Sequence, residues 1–87
     1  MDNKSLVKIF KAIGNERRFL ILRYLIANKE LTVGQISSLI KLSFKSTSRH
    51  MAVLLGVELV NVKQVNLNRF YTINDKNIKE FMHFFRS

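Results

Sequence analysis

The chain contains no cysteine, no proline and only three glycines. The absence of cysteine excludes disulfide bonds, thiolate metal sites and thiol redox sensing. Without proline, and with glycine only at positions 14, 34 and 56, no stretch has the composition of a flexible linker. No internal repeat or low-complexity tract occurs either. Residues 1–87 are therefore predicted to form a single small domain.

Long apolar runs are also missing. No run approaches the roughly 18 residues that a membrane-spanning helix needs, and the N-terminal Met-Asp-Asn-Lys-Ser does not lead into the apolar stretch of a signal peptide. A cytoplasmic protein without a membrane partner is therefore expected. Because 47% of the residues are nevertheless apolar, disorder is not expected. In a chain this small, some of those residues are expected to be buried against a second chain.

Acidic residues are scarce: 6 Asp and Glu stand against 15 Lys and Arg, which gives a formal charge of +9. This basic excess predicts a polyanionic partner, either nucleic acid or an anionic membrane surface. The alternative is that the charge serves only solubility. The basic residues are spread along the chain without a run of five or more, so a disordered basic tail is not the explanation. We expect a nucleic-acid partner, and hence association with the nucleoid.

Apolar spacing predicts four helices before the glycine at position 56. They cover residues 4–13, 16–27, 32–40 and 42–55. Asn15 is suited to cap the second helix, Thr32 with Gln35 matches a capping box, and Ser43 is a good N-cap for the fourth. Two short helices joined by about three residues, here within residues 32–55, are typical of a helix-turn-helix.

The fourth predicted helix, residues 42–55, has two distinct faces. Thr47, Met51 and Leu54 form a stripe spaced as i, i+4 and i+7, which indicates a buried face. The opposite face carries small, hydroxylated and cationic side chains: Lys45, Ser46, Ser48, Arg49 and Ala52. Such a face suits a helix in the DNA major groove, where Arg and Lys bind guanine and Ser or Thr bind several base edges. The alternative is a polar face that is merely solvated.

The hydrophobic period changes after Gly56. Residues 59–73 place β-branched and aromatic residues on both sides of an Asn-Leu-Asn interruption, and Asn tolerates a left-handed backbone. This pattern predicts a β-hairpin. Polar side chains line its predicted tip: Lys63, Gln64, Asn66, Asn68 and Arg69. A hairpin after a helix-turn-helix is a wing, whose tip lies along a phosphate strand or in the minor groove. A hairpin that covers the core is compatible with the same pattern.

The last segment is rich in large apolar side chains. Asn74 or Asp75 is suited to cap a helix over residues 76–86. So many apolar residues are not expected to be exposed on a monomer, and we expect this helix to pair with residues 4–13 in a homodimer interface. The expected contact residues are Leu6, Phe10, Ile78, Phe81, Met82 and Phe85. The alternative is that the last helix only closes the domain's own core.

Three stretches of the chain are similar to one known family. Ile13-Gly-Asn-Glu-Arg-Arg-Phe-Leu-Ile-Leu-Arg-Tyr-Leu25 is similar to its opening pattern L-A-D-P-T-R-L-R-I-L-x-L-L, with Arg18 at the family arginine. Leu42-Ser-Phe-Lys-Ser-Thr-Ser-Arg-His-Met51 is similar to its recognition helix, L-S-Q-S-T-V-S-R-H-L. Residues 60–73 align with its wing without a gap. The chain thus resembles the ArsR (arsenic-repressor) family of winged helix-turn-helix regulators, which implies a mainly α fold with a β-hairpin, in the order α-α-α-α-β-β-α.

The resemblance implies a homodimer that binds a palindromic operator in double-stranded DNA and blocks transcription. Two-fold symmetry would place the two recognition helices about one turn of DNA apart, roughly 34 Å. In many members of the family a metal ion or an oxidant releases the DNA. The thiol-dependent metal sensors carry Cys-Val-Cys where this chain has Leu31-Thr-Val-Gly-Gln-Ile36. We therefore expect no thiol-based sensing and no cofactor.

Two further departures from the family lie near the wing and in the last helix. Some members bind a metal through Asp and His of the last helix of each subunit, where this chain has Glu80 and His83 at i and i+3. A dimer could double this pair to four ligands, but such a pair is more often a surface contact, and no metal is expected. Glu58 stands where the family usually has Gly. Either the fourth helix ends early or Glu58 adopts a strained turn.

The expected DNA contacts fall into three groups. Base edges are assigned to Lys45, Ser46 and Arg49. The phosphate backbone, or the orientation of the helix, is assigned to Ser48 and His50. Phosphates on either side are assigned to Arg18, Lys63 and Arg69. An enzyme is not predicted, because the carboxylates are scattered and no nucleophile motif or phosphate loop occurs. The rival to a DNA-binding repressor is a winged-helix protein-interaction module that has lost operator binding.

Overall fold

The computed structural model describes residues 1–86 as five helices, a three-stranded sheet and a terminal 3-10 helix. The helices are α1 Asn3–Ile13, α2 Glu16–Ala27, α3 Val33–Ile40, α4 Phe44–Gly56 and the single turn α5 Asp75–Ile78. The strands are β1 Leu31–Thr32, β2 Val60–Val65 and β3 Asn68–Ile73, and the 3-10 helix is Lys79–Phe84. This order confirms the predicted mainly α fold with a β-hairpin. The strand β1 was not predicted.

Side-chain caps fix where the helices begin, as the sequence predicted for three of them. The oxygens of Asn15, Thr32 and Ser43 each accept a hydrogen bond from the backbone N–H three residues on. At Thr32 the capping box is complete, because the Gln35 side chain accepts from the Thr32 N–H at 2.9 Å. Asn74, rather than its neighbour, caps α5. Each such cap stabilises its helix by about 0.5–2 kcal/mol relative to Ala.

The sheet has the order β1-β3-β2, with both pairs antiparallel. In the hairpin Val65 pairs with Asn68, which leaves Asn66 and Leu67 as a two-residue turn. Asn66 has φ 56°, the left-handed conformation expected of Asn in this position. The two residues of β1 lie beside Tyr71 and Phe70. A strand of two residues has no period of its own, so only the long-range pairing reveals it.

The predicted buried stripe of α4 is confirmed. Thr47, Met51 and Leu54 are fully buried and pack α4 against the core formed around Ile21 and Leu22 of α2. Because these side chains are fixed inside, the rest of the helix surface faces outward in one defined orientation. Ser46 and Ser48, predicted for the outer face, are half-buried at its edges.

Replacing Thr47 with Val is expected to raise the free energy of unfolding by about 1 kcal/mol. Within residues 1–86 the buried Thr47 hydroxyl has no hydrogen-bond partner, and burying an unpaired hydroxyl costs about 1–3 kcal/mol. Val has the same shape, and the family pattern quoted above has Val at this position. Urea unfolding tests this. The matched control Thr32→Val should destabilise, because it removes a bonded cap; an unchanged or lower stability of Thr47→Val contradicts the prediction.

Glu58 lies in the strained turn that the sequence allowed as one of two possibilities. The helix α4 continues to Gly56, and Glu58 follows with φ 59°. The side chain of Asn77 donates to the Glu58 carbonyl oxygen at 2.9 Å, which ties this turn to α5. A left-handed backbone costs a non-glycine residue roughly 1–2 kcal/mol, so this contact helps to hold an unfavourable conformation.

The last segment differs from the single helix predicted over residues 76–86, because α5 gives way to the 3-10 helix after one turn. Such tightening is frequent at helix ends, and apolar spacing over two turns does not distinguish the two periods. Ile78, Phe81 and Phe85 are buried in the protomer's own core. These three predicted interface residues therefore close the core, which was the alternative, and have little surface left for a second copy.

Candidate nucleic-acid interface

The outer face of α4 is cationic and free of acids. Lys45 and Arg49 are exposed and lie one helical turn apart. All six acidic residues of the chain lie outside α4 and outside the β2–β3 hairpin. A phosphate backbone approaching this side would meet no carboxylate from either element. The predicted base-contacting cations are thus brought together, one turn apart.

The joint between α3 and α4 is fixed by Arg17, which the sequence analysis did not single out. Its guanidinium donates to the Ile40 carbonyl oxygen at the end of α3 and lies 3.5 Å from the Lys41 carbonyl oxygen. Lys41 has φ 54°, so the chain turns sharply here. Arginine near a helix C-terminus can bind the last carbonyls of that helix, but here Arg17 and Ile40 are 23 residues apart in the sequence. No local signal could have revealed this contact.

Arg18 holds three helices together. Its Nε donates to the Ala12 carbonyl oxygen at 2.8 Å, and another guanidinium nitrogen lies 3.3 Å from the Lys11 carbonyl oxygen, both in α1. A third nitrogen lies 3.3 Å from Nδ1 of His50 in α4. These internal acceptors favour a positioning role for Arg18 over the predicted phosphate contact. The same contact favours the helix-orienting role for His50, one of the two roles predicted for it.

The surroundings of His50 favour the neutral form of its imidazole. Burial lowers the pKa of His50 below its ordinary value of 6.5, and the nearby charges of Arg18 and Arg17 lower it further. Only a neutral ring can accept a hydrogen bond from Arg18 at Nδ1. Protonation would place a positive charge against the guanidinium and break the contact that links α2 to α4.

Acidification is expected to destabilise the protein through His50. Between the lowered pKa of the folded state and 6.5, the unfolded chain binds a proton that the folded chain does not. The contribution of neutral His50 to the free energy of unfolding is therefore fully present above pH 6.5, and it is lost as the pH drops from 6.5 towards the lowered pKa of the folded state. Urea unfolding at several pH values tests this, and we expect His50→Gln to flatten the pH dependence of the free energy of unfolding. An identical pH profile for wild type and His50→Gln contradicts the prediction.

The two predicted wing cations are placed differently. Lys63, on β2, forms an exposed ion pair with Glu30 at 3.1 Å, so a phosphate would compete with that carboxylate. Arg69 lies near the hairpin tip, with its guanidinium carbon 5.9 Å from the centre of the Tyr71 ring. Exposed pairs contribute about 0–1 kcal/mol, so Lys63 can exchange Glu30 for a phosphate at little cost. Both cations thus lie on the wing, as predicted.

An open groove of about 670 Å³ separates α4 from the wing. Its lining residues are Thr32, Val33, Gly34, Phe44, Ser48, Ala52, Leu55, Leu67, Asn68, Arg69 and Tyr71. Two large apolar side chains at its edges were missed by the sequence analysis: Phe44 is 63% exposed and Leu67 is 95% exposed. The signal for Phe44 was available, because it directly follows the Ser43 cap and lies outside the buried stripe.

Two other kinds of site are absent from the described chain. Within residues 1–86 no helix is long and apolar enough to cross a membrane. Over the same range, no group of three or more His, Cys, Asp or Glu side chains is placed to hold a metal ion. Glu80 and His83 lie on the 3-10 helix, where the His83 ring packs 4.0 Å from the Phe84 ring.

Comparison with known proteins supports the assignment of the fold. The profile of the family described as "Bacterial regulatory protein, arsR family" matches residues 15–62, which is more than half of the chain. The transcriptional activator HlyU of Vibrio cholerae is 40% identical over 85 residues, covering 94% of this chain and 78% of HlyU. A solved structure of HlyU from that organism has a TM-score of 0.83 at 36% identity, covering 97% of this chain and 92% of that chain.

Two more distant solved structures share the fold. The transcriptional repressor PagR of Bacillus anthracis has a TM-score of 0.82 at 21% identity, covering 95% of this chain and 94% of that chain. A homodimeric winged helix-turn-helix DNA-binding domain from Mycobacterium bovis has a TM-score of 0.83 at 22% identity, covering 93% of this chain and 74% of that chain. From the family profile and the HlyU similarity, the chain belongs to the ArsR family of bacterial regulatory proteins and is a DNA-binding regulator of transcription, not an enzyme.

Proposed function

We propose that the protein is a homodimeric repressor that binds a palindromic operator with α4 of each copy in a major groove. The observation that carries this proposal is the acid-free outer face of α4, where Lys45 and Arg49 are exposed beside a wing with no acids in its strands. In the proposed complex Lys45, Ser46 and Arg49 approach base edges. Repression follows from occlusion, because a dimer seated on an operator excludes other proteins from that DNA.

Ser48, Lys63 and Arg69 supply phosphate contacts in this proposal. Lys63 and Arg69 lie on the two strands of the wing, which would follow the backbone beside the major groove that α4 enters. Arg18 and His50 act from inside, by fixing α4 on α1 and α2. The proposed surface therefore combines groups that touch DNA with groups that hold the recognition helix in place.

The proposed dimer is formed by α1 and the last segment. Phe10 and Phe84 are about half exposed and line one apolar cleft of about 340 Å³ with Ile13 and Phe19. Leu6 and Met82, also predicted for the interface, are half-buried. Exposed aromatic residues that share one cleft mark an interaction surface. The Mycobacterium bovis domain that is similar in fold is homodimeric, which supports the proposal of a dimer.

Replacing Phe10 with Glu is expected to convert the dimer to monomers. A carboxylate buried without a partner in an apolar contact costs several kcal/mol. About half of the Phe10 side chain is exposed in the protomer and the rest packs on Phe81, so we expect the protomer to be weakened but to stay folded. Sedimentation of the purified protein measures the mass, and circular dichroism checks the fold. The control Val65→Glu changes a similarly exposed apolar residue of the wing and should leave the dimer intact. A dimer that survives Phe10→Glu would move the interface elsewhere.

The function itself is tested by selecting bound duplexes from a random-sequence pool with the purified protein. A symmetric pair of half-sites, centred about one turn apart, is expected, and the logarithm of the affinity should fall linearly with the logarithm of the salt concentration. A reporter gene carrying the selected site should be silenced. Activation of the reporter would reverse the proposed sign. Failure to enrich any sequence, with no salt-dependent binding, would leave the protein-interaction module instead.

A further inference from the structure

The recognition helix begins with a large apolar side chain that the core does not use. Phe44 is the first residue of α4, directly after the Ser43 cap, and is 63% exposed. The buried stripe starts only at Thr47, and Phe44 is not part of the core. Most of this large apolar side chain therefore lies on the surface proposed to face DNA.

Phe44 continues into a strip of small residues on the same side of the helix. Phe44, Ser48 and Ala52 follow one another at intervals of four and together form one wall of the groove between α4 and the wing. Small side chains at 48 and 52 let another molecule approach this wall closely. Next to the strip, Lys45 and Arg49 lie at the same interval, so an apolar strip and a cationic strip run side by side.

The groove suits an anionic ligand with one apolar contact point. Among its lining residues Arg69 carries the only charge, and none is acidic. The groove is also continuous with the cationic face of α4, because Ser48 and Ala52 belong to both. A strand of DNA combines these properties, since its phosphates are anionic and its base edges lie within reach of a helix in the groove.

The apolar feature on a major-groove edge is the C5 methyl group of thymine, and Phe contacts it in protein–DNA complexes. In helix-turn-helix complexes the N-terminal residues of the recognition helix contact base edges, and Phe44 is the first of them here. We propose that Phe44 is a specificity-determining residue that packs against a thymine methyl group, so that each half-site carries a thymine facing it. This inference rests on the proposed operator binding.

The experiment compares thymine with deoxyuridine, which differs only by the methyl group. Duplexes selected by the wild-type protein are made with deoxyuridine in place of single thymines, and their affinities for wild type and Phe44→Gln are measured. Gln stands at this position in the family pattern and has no apolar end. At one thymine position of each half-site, wild type should lose about fourfold in affinity, the value for burying one methyl-sized group, and Phe44→Gln should not distinguish the two bases.

The outcomes are separable. Thermal unfolding of Phe44→Gln should match wild type, because the side chain is exposed. If the wild-type protein binds thymine and deoxyuridine duplexes equally at every position, the inference is wrong although operator binding stands. The inference is also wrong if Phe44→Gln keeps a preference for thymine. Either result would make a protein the partner of the Phe44 side chain. If the wild-type protein selects no sequence and shows no salt-dependent binding, the proposed function fails and the inference with it.

Discussion

Replacing Arg49 with Ala is expected to weaken binding to the selected operator by about 1–3 kcal/mol for each half-site, or roughly 5- to 150-fold. Arg49 is exposed on α4, nearly opposite the buried Met51. A guanidinium in this position can present two parallel donors to O6 and N7 of guanine, and Ala presents none. Unrelated duplexes should lose much less affinity, because phosphate attraction alone holds them.

Fluorescence anisotropy on the operator and on an unrelated duplex measures this difference. Lys29→Ala is the matched control, because it removes the same charge from an exposed residue outside α4, the wing and the proposed dimer interface. It should reduce both affinities slightly and equally. If Arg49→Ala leaves the operator affinity unchanged, Arg49 does not contact a base, and Lys45 becomes the candidate for that contact.

Replacing Arg18 with Met is expected to lower the free energy of unfolding by about 2–3 kcal/mol. The guanidinium bonds the end of α1 and reaches Nδ1 of His50 in α4. Hydrogen bonds to charged groups contribute about 1.5–3 kcal/mol, and their loss leaves half-buried acceptors unsatisfied. Met keeps most of the packing of the aliphatic part of arginine, so the decrease in the free energy of unfolding measures the lost polar contacts. Urea unfolding measures the change.

The same variant separates a positioning role from a phosphate contact. If Arg18 only positions α4, the folded Arg18→Met protein should keep the salt dependence of wild type on a random duplex, whereas loss of a phosphate contact would reduce the slope by about one. Lys63→Met should reduce the slope, because Lys63 is exposed on the wing. Lys29→Met, in the exposed connection after α2, is the charge-matched stability control. If Arg18→Met is as stable as wild type, Arg18 does not stabilise the packing of α4 on α1 and α2.

Local patterns were sufficient for the elements that build the interface. The caps at Asn15, Thr32 and Ser43 depend on residues three positions apart, and the stripe of α4 depends on a single helix period. The turn at Asn66 depends on the tolerance of Asn for a left-handed backbone. Each of these signals is contained within a few neighbouring residues, so it is readable before the chain is folded.

Contacts between distant residues were not readable in this way. Arg18 and His50 are 32 positions apart in the sequence. From the sequence alone, the Arg18 side chain would suit a phosphate contact as well as a contact with His50. The groove beside Phe44, Ser48 and Ala52 appeared only once the wing was placed opposite α4. The last segment was ambiguous for the same reason, since Phe81 packs on Phe10 at 5.5 Å between ring centres and is buried within one protomer.

For this protein the sequence by itself determined the caps of three helices, the buried stripe of α4, the hairpin and the likeness to the ArsR family. Only the tertiary structure decided which cations stay outside and which are used inside. The physical reason is that propensity, capping and periodicity act between neighbours, whereas burial depends on what packs opposite a residue. Arg49 and Arg18 have the same chemistry, and their roles are separated only by the helices that surround them.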